Sequence, residues 1–327
     1  MDTEPSERKN RARERHERRK ARQQGSPLPD LPRGTPRHLS PTGRVKLPEV
    51  RLPQARILLY GAAGLILILI VIVALRRFSE NAVQTGNNAI WLGTEWTYDS
   101  PTTEAVDTLV SRLRDNQIGT VYAWVSLLQP NGTWSETIKL NEVRNFVQQF
   151  RQVYPEAQLY GWLSVAAQGE DGTNRLGNTT LQQQVADFSR RVTEEFGFDG
   201  LFLNIVPVLN GDENYLALLR KVRATLGDET PLAVAVPPDW TPPDEAVPQP
   251  PQIAPNTIWE ADYKKRVAIL ANQMVITAYN SGLTTIDDYQ AWVAYQVKTF
   301  ADVIASMNTD TELLIGIPSY DTASPEH

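Results

Sequence analysis

The 327-residue chain has no cysteine and only three histidines, His16, His38 and His327. The first absence removes disulfides and thiolate chemistry. The second removes a Ser-His-Asp triad, a Cys-His pair and a His-rich zinc site from any domain between residues 39 and 326. No metal and no cofactor is implied. Basic residues are also scarce outside the N-terminal region. Residues 1–56 hold 15 Lys+Arg against 7 Asp+Glu, Arg76 and Arg77 add two more cations, and the remainder carries 15 basic and 31 acidic residues. The net charge of −6 therefore hides a domain at about −16, which repels nucleic acid and anionic headgroups and suits a neutral or cationic ligand. What is plentiful is apolar matter: 41% of the residues are hydrophobic and eight are tryptophan, enough for a substantial core.

One stretch has no charge at all. "ILLYGAAGLILILIVIVAL", Ile57 to Leu75, lies between Arg56 and Arg76-Arg77. As a helix it would extend about 28 Å, close to the thickness of a bilayer's hydrocarbon core. The 56-residue leader before it is far too long for a cleaved signal peptide. A single transmembrane helix is expected over 57–75. Arg37, Arg44, Lys46, Arg51 and Arg56 precede it and only Arg76 and Arg77 follow closely, so the N-terminus is expected in the cytoplasm and the acidic domain outside it. Residues 1–56 combine a basic block with a Pro-rich segment and have too few apolar residues to offset ordering entropy; they read as a disordered tail. Residues 76–87 read as a linker.

From residue 88 to 327, strand-like and helix-like runs alternate. The strand candidates are 89–93, 120–127, 158–166, 200–206, 232–237, 273–279 and 312–318. Between them, Val106, Leu109, Val110 and Leu113 recur at helical spacing, as do Val143, Phe146, Val147 and Phe150, and Tyr215, Leu218, Leu219 and Val222. A last helix is predicted from Ile286 to Met307, with Val293, Val297, Phe300 and Ile304 on one stripe. Seven βα units in about 240 residues predict an α/β fold of the (β/α)8 TIM-barrel type. It is one strand short, either open at an edge or incomplete at the C-terminus. The alternative is a doubly wound open sheet, but "WLGTEWTYDSP" has no glycine-rich turn after the first strand.

In such barrels the site lies at the C-terminal ends of the strands. Those ends offer Glu95 and Trp96, Trp124 and Ser126, Trp162 and Ser164, Asn204 and Val206, Asp239 and Trp240, Tyr279 and Asn280, and Tyr320 and Asp321. Trp96, Trp124, Trp162, Trp240, Tyr279, Asn280 and Tyr320 are the candidate substrate-binding residues, since flat aromatic faces stack on the C–H faces of sugars; strand tryptophans also serve as packing. Glu95, Asp239 and Asp321 are the candidate catalytic acids. The Pro-rich segment 237–257 is placed to overhang the mouth, and its prolines favour a fixed wall over a mobile lid.

"FDGLFLNIVP" (198–207) resembles the strand-4 motif Asp-x-x-Asp-x-Asp-x-Glu of the chitinase-type family 18 glycoside hydrolases. "MVITAYN" resembles the family's strand-6 Met-x-Tyr-Asp segment, and "LLIGIPSYD" its strand-7 Gly-x-Pro-x-Tyr segment. The resemblance implies a barrel that binds carbohydrate. In the family the motif's Glu is the general acid, and the neighbouring Asp orients a substrate acetamido group that attacks its own anomeric carbon. Here Asp199 keeps the first Asp, but Phe202, Asn204 and Val206 stand at the second Asp, the third Asp and the Glu. Asn280 replaces the Asp after the strand-6 tyrosine. The implied chemistry therefore lacks its acids, provided that residues 202, 204 and 206 face inward; strand register decides this.

Three functions are expected from this reading. The first is a membrane-tethered, extracytoplasmic relative of glycoside hydrolases that binds envelope or extracellular glycan without family 18 catalysis. The second is an active glycosidase using Glu95 with Asp239 or Asp321. The third is a membrane-tethered scaffold with no carbohydrate role.

Overall fold

The computed structural model describes residues 86–135, 139–307 and 309–319. The expected tail, the span over 57–75, Tyr320 and Asp321 lie outside these residues. Among the described residues no helix is long and apolar enough to cross a membrane.

The elements alternate along the chain. They are β1 (Asn88–Leu92), α1 (Thr94–Thr97), α2 (Thr103–Asp115), β2 (Ile118–Leu128), α3 (Leu140–Val153), β3 (Gln158–Ala166) and α4 (Thr179–Glu194). There follow β4 (Gly200–Val206), α5 (Glu213–Leu226), β5 (Leu232–Val236), α6 (Ala261–Ala268), β6 (Gln273–Thr277), α7 (Ile286–Ala305) and β7 (Glu312–Gly316). The seven strands pair in sequence order and every pairing is parallel.

Each strand is apolar on both faces, as a sheet covered on both sides requires. One face, with Leu201, Leu203, Ile205, Val234 and Ile276, joins the helix stripes in a single outer core. The other contributes Tyr122, Tyr160, Phe202, Ala233, Ala235 and Val275, with Ala89, Trp91, Trp162 and Leu314 packed against them, to a separate inner core. All seven strands supply that inner cluster, so the sheet curls around its own side chains as an incomplete α/β barrel. Large rings on β2, β3 and β4 share the interior with alanines on β5, large residues beside small ones as close packing requires. Phe202 stacks on Tyr122 with ring centroids 4.4 Å apart, and Trp91 lies 6.1 Å from Phe202.

β1 and β7 end the sheet and do not pair with each other. Trp91 reaches across the inside from β1. A Cβ placed on Gly316 of β7 would sit 2.4 Å from the Trp91 ring, so only glycine leaves the indole its place.

The helix stripes predicted at Val106 to Leu113, Val143 to Phe150 and Tyr215 to Val222 are all buried. The stripe on α7 is different. Trp292, Gln296 and Phe300 are its buried residues, and Val297 is 38% exposed. The reason is polar: the Gln296 amide accepts from the Asp239 backbone N–H at 2.8 Å and donates to the Asp239 carbonyl at 2.7 Å. A glutamine on the buried face sets the rotation of α7, which a hydropathy stripe counts as surface. Asn178, in an Asn-x-Thr context, caps α4 by accepting from the N–H groups of Thr180 and Leu181.

Gly316→Ala is expected to cost about 1–3 kcal/mol through overpacking. Trp91→Phe in the same chain should recover part of that loss, because the smaller ring vacates the contact. Urea unfolding of the two single variants and the double variant tests the coupling; strictly additive effects would mean that the indole does not bridge β1 and β7.

Candidate functional site

All helices follow their strands in a parallel sheet, so the C-terminal strand ends and their loops form one mouth. Parity in the β3–β4 register settles which side chains enter it: Trp162 pairs with Phe202, Ser164 with Asn204 and Ala166 with Val206. Phe202 belongs to the inner core, so Asn204 and Val206 stand above it on the same face. Phe202 is buried, Asn204 half-buried, and Val206 is 55% exposed at the top. The inward assignment of residues 202, 204 and 206 therefore holds. Asp199 lies below β4, where its carboxylate pairs with Arg151 and accepts from the Leu159 N–H.

The polar floor of the mouth is small. Trp162 Nε1 donates to Ser164 Oγ at 3.0 Å, and Asn204 Nδ2 reaches the same oxygen at 3.4 Å. Asn204 Oδ1 is buried and has no partner among the described residues. Around this floor stand aromatic rings. Trp124 meets Trp162 edge-on at 4.8 Å, and Tyr279, 40% exposed, meets Trp91 edge-on at 6.2 Å. Trp124 and Trp162 are both half-buried, Trp124 packed against the outer core and Trp162 against the inner one.

Strand β2 departs from simple alternation. Trp124 pairs with Trp162, but Ser126 pairs with Leu163 and Leu127 with Ser164. A bulge has added one residue. Ser126, expected beside Trp124 on the site face, is turned outward, fully buried and bonded to Ser135 Oγ at 3.0 Å; Leu127 takes the inward place. No residue type in "AWVSLL" marks the bulge. Trp91, by contrast, was legible: alternation along "AIWLG" puts Ala89, Trp91 and Gly93 on one face, and Trp91 was overlooked as a site residue.

The structure places the two described candidate acids in separate settings. Glu95 is exposed in the first turn of α1 and accepts from the Gly93 N–H at 3.2 Å. Asp239 is buried against the outer helices. Its Oδ2 pairs with Lys264 of α6, its Oδ1 accepts from the Trp259 N–H at 3.0 Å, and Lys264 Nζ lies 4.0 Å from the centre of the Phe300 ring of α7. Burial pushes the Asp239 carboxyl above its ordinary range, opposed by the Lys264 ammonium beside it. The two acids share no partner, and Asp239 is committed to a buried ion pair that fastens both ends of the Pro-rich segment.

That segment is tied to its surroundings by hydrogen bonds. Trp240 N–H donates to the Thr257 carbonyl, Gln252 N–H to the Ser281 carbonyl, and Trp259 Nε1 to the Val208 carbonyl in the loop after β4. Trp240 is half-buried near its base. Trp96 is half-buried against the outer core, not the inner one. Asn280 is exposed beside Tyr279. Among the described residues no group of three or more His, Cys, Asp or Glu side chains is arranged to hold a metal ion.

Asp239→Ala strands the buried ammonium and the Trp259 N–H, and is expected to cost about 3–5 kcal/mol in urea unfolding. The double variant Asp239→Leu/Lys264→Met should lose clearly less than the single one. A single variant as stable as the wild type would refute the structural role of the pair.

No protein-family model matches the chain, and no curated protein matches it by sequence. Among solved structures it is similar to a GH18 chitinase from Cycas revoluta, a mutant in complex with (GlcNAc)4, at 15% identity over 70% of this chain and 68% of that one, with a TM-score of 0.48. It is similar to the chitinase domain of the spore coat protein CotE from Clostridium difficile, at 15% identity over 71% and 65% of the two chains, with a TM-score of 0.45. It is also similar to the Bacillus cereus spore cortex-lytic enzyme SleL, at 17% identity and a TM-score of 0.47; 70% of this chain spans 49% of that one.

Proposed function

We propose that this chain is a glycan-binding protein of glycoside-hydrolase-like fold that does not perform family 18 catalysis, held at a membrane by residues 57–75 with its barrel outside the cytoplasm. The observation that carries the reading is the inward face of β4, which ends in Asn204 and Val206 over a Phe202 plug, with Trp162 and Trp124 at the level of Phe202 and Tyr279 beyond the end of β6. Valine has no proton to donate, and the loss of a general acid alone forfeits about 10²–10⁴ in rate. Asn204 hydrogen-bonds but lacks the negative charge that would stabilise a cationic intermediate. Aromatic faces and a few amide and hydroxyl groups remain, which is sufficient to hold a sugar and insufficient to cleave it.

Of the active alternative, Glu95 with Asp239 or Asp321, the version with Asp239 is weakened by the Asp239–Lys264 pair; Asp321 lies outside the described residues. A carboxylate held by a buried ammonium and a backbone N–H is poorly placed to leave them for a substrate. The membrane reading rests on the uncharged run between Arg56 and Arg76-Arg77 and on the excess of basic residues before it.

Three outcomes are expected. The full chain should retain chitin or another neutral polysaccharide in pull-down, and Trp162→Ala should weaken retention about tenfold or more through loss of ring stacking. Aryl glycosides should be hydrolysed no faster by the wild type than by Glu95→Gln. The chain should remain with membranes after a carbonate wash. Hydrolysis abolished by Glu95→Gln would install the active alternative; absence of binding to every polysaccharide tried would remove the glycan reading.

A further inference from the structure

We infer that the mouth selects a glycan bearing free amino groups, a cationic amino-sugar polymer, over its neutral and anionic counterparts. This rests on the glycan-binding reading and specifies the ligand's charge. Its starting point is how charge is divided between the two ends of the barrel.

The helices run from the mouth toward the opposite end, and their charges follow that direction. Acids occupy first turns, as with Glu104 in α2, Glu142 in α3, Asp262 in α6 and Asp287 in α7. Cations occupy last turns, as with Arg112 in α2, Arg151 in α3, Arg191 in α4 and Arg223 in α5. Helix dipoles favour this arrangement, each N-terminus acting as roughly half a positive charge. That accounts for the first-turn acids but not for the loops, where Glu170, Asp244 and Glu245 add exposed carboxylates.

Bases also meet acids at the far end: Arg114 pairs with Glu156, Arg151 with Asp199, and Arg191 with Glu195, while Asp115, Glu194, Glu229 and Asp310 there have no ion-pair partner among the described residues. At the mouth, the bases among the described residues of the loops after the strands are Lys139 and Arg175, and both are turned to backbone: Lys139 Nζ donates to the Tyr98 carbonyl and Arg175 Nη1 to the Pro130 carbonyl. Glu213 is matched by Arg266, and Asp239 by Lys264. The other acids named at the mouth, Glu104, Glu142, Asp262, Asp287, Glu170, Asp244 and Glu245, have no such partner among the described residues, so their field adds over the opening.

The acids alone would only attract cations. The floor supplies the means of holding one on a sugar. Half-exposed indole and phenol faces bind both C–H faces and ammonium groups, and the buried Asn204 Oδ1 is an acceptor with no donor among the described residues. An amino group brings N–H donors and positive charge together, whereas an anionic sugar would be repelled by the rim; Arg175, two of whose guanidinium nitrogens have no partner among the described residues, is the cation it could meet, but those nitrogens are buried.

The test uses the full chain and glucosamine oligomers of one linkage and length in three forms: N-acetylated, unacetylated and N-succinylated. Oligolysine of equal charge is the fourth probe. Where screening is weak, at about 10 mM salt, the unacetylated oligomer should bind about tenfold or more tighter than the acetylated one, and the succinylated oligomer should bind weakest. The differences should collapse near 1 M salt. Glu170→Lys/Asp244→Lys/Glu245→Lys should reduce the preference for the unacetylated oligomer about tenfold and change acetylated binding less than about twofold. Equal binding of neutral and cationic oligomers at low salt would overturn the inference and leave the glycan reading standing. Oligolysine bound as tightly as the cationic oligomer would overturn it too, by showing attraction without sugar recognition. Failure of all three oligomers would remove the glycan reading itself.

Discussion

The packing of Phe202 against Tyr122, with Trp91 and Trp162 closing on the pair, is the constraint on which the rest of this protein depends. A parallel sheet needs both faces covered. The helices cover the outer one. The inner one is covered only by the strands' own side chains, and the aromatic rings from β1 to β4 are large enough to do it with alanines on β1 and β5, a valine on β6 and a leucine on β7. Curling the sheet around these rings puts every even-numbered position of β4 inside. The same contact that fills the barrel therefore removes Phe202 from chemistry and lifts Asn204 and Val206 to the mouth.

Closure at the sheet ends uses the same material. Trp91 lies against Gly316 across the interval between β1 and β7, so an indole covers on the inside what a paired strand would otherwise cover. The apolar residues flanking this edge, Val297 on α7 and Ile317 after β7, stay exposed. Stability here rests on side-chain volume more than on backbone pairing, and the tolerance of the inner cluster for substitution is correspondingly narrow.

Buried polar groups do the positioning. Gln296 grips the backbone of Asp239, Asp239 holds Lys264 and the Trp259 N–H, and the Trp259 indole holds the loop after β4. One satisfied network thus ties α6, α7 and two mouth loops together. It also takes a carboxylate from the small set that could have served catalysis, and the result is a rim where charge acts at a distance while contact is left to rings and amides. A network of this kind is costly to leave half-made.

Much of the fold was legible in the residues alone. Strand candidates overlap all seven observed strands, because apolar runs of five to eleven residues between turn signals have few other uses. Three helix stripes are buried as predicted since hydrophobic burial is their only organising force; on α7 Phe300 is buried and Val293 and Ile304 pack against the core, while Gln296 takes the buried place expected of Val297. The substitution of Phe, Asn and Val along β4 was equally plain in the sequence, which also determined the charge division and the lack of any cysteine or in-domain histidine for chemistry. Tertiary structure alone decided that those three residues face inward, that a bulge turns Ser126 out and Leu127 in, and that Asp239 belongs to a buried ion pair and not to the mouth. The reason is common to all three: alternation along one strand is a local property, whereas which face becomes the interior, and which carboxylate meets a cation, is set by residues far apart in the chain that meet only when the sheet curls.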